Sequence, residues 1–277
     1  MIIVVTGATG NVGRPLVAEL VQAGATVRAV SRDPATAGLP ADVEVLSSVR
    51  EAMPGASAVF LNSRALGAAM DDVVAHARHA GVAKLVALSA INSNDDESRQ
   101  PSRVRGDRNR EVDELVAGSG LTWVSLRPSV FASNFAGMWA GQIRTGDAVA
   151  GPYATASSAP IAESDISAVA AQALLTDRLD GLRVPLTGPE ALTNTELVDI
   201  IADVLGRPLR YHEIPPDVVR QRFLGLGFPA DFGTAYVAML AQTVAEPALV
   251  TRDVEKILGR PARTFADWVA GHHELFN

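Results

Sequence analysis

Apolar positions along this chain follow two spacings, and the two take turns. Residues 2–6 are an unbroken, largely β-branched run stopped by Gly7, which predicts a buried parallel strand. Val12, Leu16, Val17, Leu20 and Val21 then recur at helical intervals until Gly24, predicting a helix over 12–23. A strand is predicted at 26–30. Asp33-Pro34 after it has the form of a helix N-cap followed by a first-turn proline. Strands at 43–46, 58–61, 84–89 and 122–127 and helices at 71–80 and 108–117 continue the alternation. Such alternation means βαβ units with right-handed crossovers and a parallel sheet covered on both faces.

Beyond Pro128 the period weakens. Residues 133–158 are rich in Gly, Ala and Ser and carry Phe135, Trp139 and Tyr153. A helix returns at 164–175 and one more strand at 184–187. From Thr193 the pattern is mostly helical: 193–205, opened by the capping-box sequence Thr193-Asn194-Thr195-Glu196, then 216–224 and 236–243. The expected architecture is an α/β, Rossmann doubly wound parallel sheet with a smaller, mostly helical C-terminal substrate lobe. The Rossmann part takes residues 1–132 and 159–187. The substrate lobe takes 133–158 and 188–277.

Composition narrows the function classes. The chain has 277 residues, 48% of them hydrophobic, and a net charge of −7, the balance of a globular protein rather than a nucleic-acid binder. With no cysteine, disulfides, thiolate metal sites and a Cys nucleophile are excluded. No signal peptide and no bilayer-length apolar run is read, so a cytoplasmic protein is expected, with no membrane and no nucleic-acid partner. His76 and His79 lie three apart on a predicted helix with no third ligand in view, and no metal is expected.

The stretch VVTGATGNVG carries the most specific chemistry. Gly7 permits a tight turn after the strand. Gly10 lets backbone approach a pyrophosphate, and Gly13 lets the helix pack closely on the sheet. The helix N-terminus offers its N–H groups and the positive end of its dipole. Placement between a predicted strand and helix supports the dinucleotide reading. At the end of the second strand an acidic residue would hold a ribose 2′-OH, and Arg would accept a 2′-phosphate. The sequence there is Ser31-Arg32-Asp33. With Arg32 and Ser31 facing the phosphate, Asp33 read as a cap and Arg14 nearby, the expected cofactor is NADP(H).

The loop T-G-A-T-G-N-V-G, with Ser31-Arg32-Asp33-Pro34, Leu88-Ser89, Leu126-Arg127-Pro128 and Gly259-Arg260-Pro261…Phe265…Trp268, resembles the atypical short-chain dehydrogenase/reductases, in particular their NmrA-like NAD(P)-binding branch. The resemblance implies NADPH-dependent reduction of quinones, ketones and related conjugated compounds, or redox sensing without turnover. It places Thr9, Gly10, Asn11 and Val12 on the pyrophosphate and Arg32 on the 2′-phosphate. Asn62 and Ser63 fall along the ribose, and Ser89, Pro128 and Ser129 beside the nicotinamide.

Two departures stand out. Ser47-Ser48 replaces the Gly-Asp common after the third strand. The Tyr and Lys of Y-x-x-x-K correspond to Arg105 and Asn109. No Tyr occurs before Tyr153, and no Lys lies between Lys84 and Lys256. The usual proton donor is missing. Ser89 and Asn109 are the catalytic candidates left, Ser89 to hydrogen-bond a substrate carbonyl and Asn109 to orient the ribose or a water. Asn92, Phe131, Asn134, Phe135, Trp139 and Tyr153 are candidates to line the substrate. The reading is an NADPH-dependent reductase of a small carbonyl, quinone or conjugated ring compound. The alternatives are a cofactor-binding sensor and a non-redox isomerase or cyclase on the same fold. The oligomeric state is not legible.

Overall fold

The computed structural model describes residues 1–277. The first half of the chain runs β1 (Ile2–Thr6), α1 (Gly13–Gln22), β2 (Thr26–Val30), β3 (Glu44–Leu46), α2 (Val49–Ala52), β4 (Ala58–Asn62), α3 (Ser63–Leu66), α4 (Met70–His79), β5 (Lys84–Leu88), α5 (Pro101–Val104), α6 (Asn109–Ala117) and β6 (Thr122–Pro128). The second half runs α7 (Ala132–Thr145), β7 (Ala148–Gly151), β8 (Ser157–Ser158), α8 (Glu163–Leu175), β9 (Arg183–Leu186), β10 (Leu192–Thr193), α9 (Asn194–Leu205), β11 (Arg210–Glu213), α10 (Pro216–Gly225), α11 (Ala230–Ala245), α12 (Asp253–Leu258) and α13 (Phe265–Ala270).

Two compact units result. One holds Met1–Ser93, Gly106–Pro128 and Glu163–Pro185; the other holds Asn94–Arg105, Ser129–Ala162 and Leu186–Asn277. The segment 94–105 therefore counts with the second unit, where the sequence order kept it in the first.

In the first unit a seven-stranded sheet has the order β3-β2-β1-β4-β5-β6-β9. The pairs from β3 through β6 are parallel. This is the doubly wound Rossmann order, whose chain reversal lies between β1 and β4. The strand reading follows from β-branched runs buried on both faces: Ile3, Val4 and Val5 are fully buried. α1 turns Leu16, Val17 and Leu20 inward. Lys84 Nζ at the start of β5 donates to the Ala173 carbonyl in the last turn of α8 and to the Thr176 carbonyl just after it, and pairs with Asp180 at 2.5 Å.

The second unit has its own core around Phe135, Trp139, Ile143, Leu197, Ile201, Phe265 and Trp268. α7 is absent from the sequence reading. Its buried stripe is regular, but Gly137 and Gly141 interrupt the composition. Both glycines are exposed, so their helix cost of about 1 kcal/mol each is outweighed by the buried face. The helix expected after Asp33-Pro34 does not form, and residues 33–41 run as turn and coil. Asp33 is therefore no helix cap.

The capping box at α9 forms as the sequence predicts. Glu196 N donates to Thr193 Oγ1 at 3.2 Å, and Thr193 N donates to Glu196 Oε2 at 2.8 Å. These bonds, from the Thr193 backbone first and its side chain second, hold the Glu196 carboxyl below its ordinary value of 4.5. A lowered carboxylate pKa stabilises the fold above the unfolded value, and that contribution is lost as pH falls through the folded one. Thr193→Ala is expected to cost about 1 kcal/mol in urea unfolding. Most of the carboxylate's share of that loss should vanish when the comparison is repeated at a pH below the folded pKa. An unchanged unfolding midpoint at neutral pH contradicts this.

Candidate active site

The first β–α turn is built around space that no side chain fills. Gly7 has φ +64°, the left-handed region that favours glycine. A Cβ on Gly7 would stand 3.1 Å from Asn62 Nδ2. A Cβ on Gly13 would fall 2.8 Å from the Ala8 Cα and well inside van der Waals contact of the Gly7 carbonyl oxygen. Gly10 N donates to Gly7 O at 3.0 Å, closing the turn. Thr9, Gly10 and Asn11 are exposed at its tip. The residue before α1, Val12, supplies no capping side chain, and the N–H groups of Val12 and Gly13 find no backbone acceptor. A helix start left open behind an exposed glycine turn fits a pyrophosphate.

The crevice between β1 and β4 is fixed from below. Buried Thr6 donates through Oγ1 to the Phe60 carbonyl at 2.9 Å and accepts from Asn62 N at 2.8 Å. Asn62 Oδ1 accepts from Ala65 N and caps α3. Sequence reasoning passed over Thr6; its signal was a hydroxyl at the carboxyl end of a fully apolar strand.

After β2 the charges divide. Arg32 is exposed and makes no hydrogen bond or ion pair within the chain. Arg14 is committed: Nη1 donates to Gly38 O at 2.6 Å and Nη2 to Ala37 O at 2.9 Å, strapping the loop after β2 to α1. Ser31 is buried, and its hydroxyl donates to Asp33 O and accepts from Asp33 N. Its donor hydrogen is thus spent locally rather than offered to a phosphate. Arg32 remains the available cation.

Ser63, Ser89 and Asn109 come together at the carboxyl ends of β4 and β5. Ser89, 4% exposed, donates from Oγ to the Asn109 backbone carbonyl at 2.8 Å. Ser63 Oγ accepts from Arg108 N at 3.2 Å and reaches Asn109 Oδ1 at 3.5 Å. The one donor hydrogen of Ser89 braces the start of α6. Asn109 is half-buried and keeps its amide NH2 free of partners within the chain.

The aromatic candidates separate as well. Phe135 and Trp139 are buried in the core of the second unit, with ring centroids 5.1 Å apart and Phe265 against Phe135. They fill that core, on the inward face of α7. Phe131 is half-buried, and Asn134 is exposed in the first turn of α7. Asn92 is half-buried, and Pro128 ends β6. Ser129 Oγ donates to the Ala159 carbonyl. Arg105 has its guanidinium 5.8 Å from the Phe228 ring centroid.

A sequence model of the NAD(P)H-binding family matches residues 7–177. The chain therefore belongs to that family. It is an NAD(P)H-dependent oxidoreductase. It is 35% identical to the (4-alkanoyl-5-oxo-2,5-dihydrofuran-3-yl)methyl phosphate reductase of Streptomyces griseus, over 99% of both chains. It is 30% identical to the NAD(P)H azoreductase of Xenophilus azovorans, again over 99% of both. Its fold matches an NADPH-dependent quinone oxidoreductase of Escherichia coli in complex with NADPH, with a TM-score of 0.82 at 20% identity and complete coverage of both chains. No helix is long and apolar enough to cross a membrane.

Proposed function

We propose that the protein is an NADPH-dependent reductase of small, flat, conjugated acceptors: a quinone, a conjugated carbonyl or a related ring compound. The observation that carries the cofactor preference is Arg32, an exposed cation without a partner at the end of β2, where the 2′-phosphate would lie. The glycine turn and the open start of α1 would hold the pyrophosphate. Asn62, at the end of β4, and the Asn109 amide, at the start of α6, would hold the ribose. The named relatives support the substrate class, since a dihydrofuranone, an azo compound and a quinone are all conjugated acceptors.

Bound NADPH supplies a hydride, so the protein's part is to bind, orient and handle one proton. Arg32 and the α1 amides fix the dinucleotide. Ser89 and Ser63 hold the start of α6 so that Asn109 keeps one position. Arg32→Ala is expected to weaken NADPH binding about 10- to 100-fold, the worth of charge-assisted bonds to a phosphate. NADH binding should stay unchanged in the same fluorescence titration. Equal affinity of the unaltered protein for the two cofactors contradicts the preference.

A second reading, a cofactor-binding redox sensor, draws on one observation: the Ser89 hydroxyl is turned inward to the Asn109 carbonyl. It separates from the first by turnover alone.

A further inference from the structure

Ser167 is a polar side chain in the middle of a buried, mostly apolar helix. Its neighbours on α8, Ile166, Val169, Ala170 and Ala171, are buried, and Ser167 itself is fully so. Alanine is the better helix former, and a buried hydroxyl costs free energy unless it is bonded. Ser167 Oγ lies 2.8 Å from the Glu163 carbonyl oxygen, one turn back on α8. It lies 2.8 Å from the Val12 carbonyl oxygen as well, 155 residues away in sequence. The contact to Glu163 is the common way in which a helical serine satisfies itself. The contact to Val12 is nothing that α8 requires.

Val12 O belongs to the same peptide unit as the N–H of Gly13. That unit is planar and trans, so its C=O and N–H point in opposite directions. A donor that holds the oxygen therefore fixes the direction of the Gly13 N–H, out of the start of α1. It also draws electron density onto the oxygen and makes the N–H of the same peptide a stronger donor. Leu16 N donates to this oxygen too, at 3.1 Å, so the carbonyl takes one donor from each helix. Gly13 N finds no backbone acceptor of its own. α1 and α8 pack on each other inside the first unit, so the whole arrangement is internal to it.

We propose that Ser167 is a positioning residue for the dinucleotide: through the Val12 carbonyl it orients and polarises the Gly13 N–H that takes a pyrophosphate oxygen. The inference rests on the pyrophosphate lying at the start of α1. It does not rest on turnover, since a protein that only holds the dinucleotide needs the same amide.

The test is Ser167→Ala. This change strands no buried partner, because Val12 O keeps Leu16 N and Glu163 O keeps the helical N–H of residue 167. The thermal midpoint should move by no more than about 3 °C. NADPH and NADH should each bind about 3- to 10-fold more weakly in a fluorescence titration, the worth of one hydrogen bond. The two lose equally because the pyrophosphate is common to both, whereas Arg32→Ala should spare NADH. Adenosine 2′-monophosphate carries the 2′-phosphate without a pyrophosphate, and by calorimetry it should bind as it does to the unaltered protein. A merely structural role for Ser167 would weaken it as well, and that result overturns the inference. Unchanged NADPH affinity in Ser167→Ala also overturns it. If Gly13→Ala still loses NADPH, the pyrophosphate placement stands; if it does not, both fall.

Discussion

Gly13→Ala is expected to lose NADPH binding by about 100-fold or more, the equivalent of about 3 kcal/mol of overpacking. The reason is space and not conformation, because φ at Gly13 is not positive. An added methyl meets the Gly7 carbonyl oxygen and the Ala8 Cα. Both belong to the backbone of the turn, so neither can swing aside like a side chain. The start of α1 must move off the turn, and the amides of Val12 and Gly13 move with it. Gly137→Ala is the control. Gly137 lies on the exposed face of α7 with nothing within 4 Å of an added Cβ, and the change should stabilise by about 1 kcal/mol or less. NADPH titration by fluorescence and thermal unfolding of both variants check the pair. Normal NADPH affinity in Gly13→Ala contradicts the cradle.

Asp113→Ala is expected to remove about 3–5 kcal/mol of stability, the cost of stranding a buried charge. Asp113 is buried on α6 between two arginines. Arg127 on β6 pairs with it from a side chain only 15% exposed, and Arg183 Nε on β9 meets its two oxygens at 3.0 and 3.1 Å. Arg183 lies with its guanidinium 5.0 Å from the Trp123 ring centroid. Without the carboxylate, Arg183 has more water to turn to than Arg127. The loss should appear in urea unfolding as a lower midpoint with an unchanged slope. A change below about 1 kcal/mol shows that Arg127 finds another partner.

Asp113 also shows what the sequence held and where reading it stopped. It falls on the same helical stripe as Val112 and Val116, so its burial was legible from periodicity. Its two partners lie 14 and 70 residues away, and only the sheet order brings them together. The Rossmann unit was readable because each strand and helix there is locally consistent, and because Gly7, Gly10 and Gly13 impose one turn. α7 was not, since its glycines blur a stripe that only the folded core makes visible. Asp33-Pro34 misled in the opposite direction: a cap and a first-turn proline lack the apolar face that would hold a helix after them. At the site, Arg32 was legible as a cation past a strand. The inward turn of Ser89 and the commitment of Arg14 to two carbonyls depend on contacts that span 20 and 24 residues.

The most direct measurement is NADPH consumption by the unaltered protein with a quinone, an azo compound and an unsaturated lactone, using NADPH deuterated at the nicotinamide C4. The account predicts oxidation with at least one of these acceptors, with deuterium kept on carbon where the lactone is reduced and exchanged to water where a quinone or an azo compound is. Tight NADPH binding with no consumption in the presence of any of the three contradicts it and identifies a protein that holds the dinucleotide without using it.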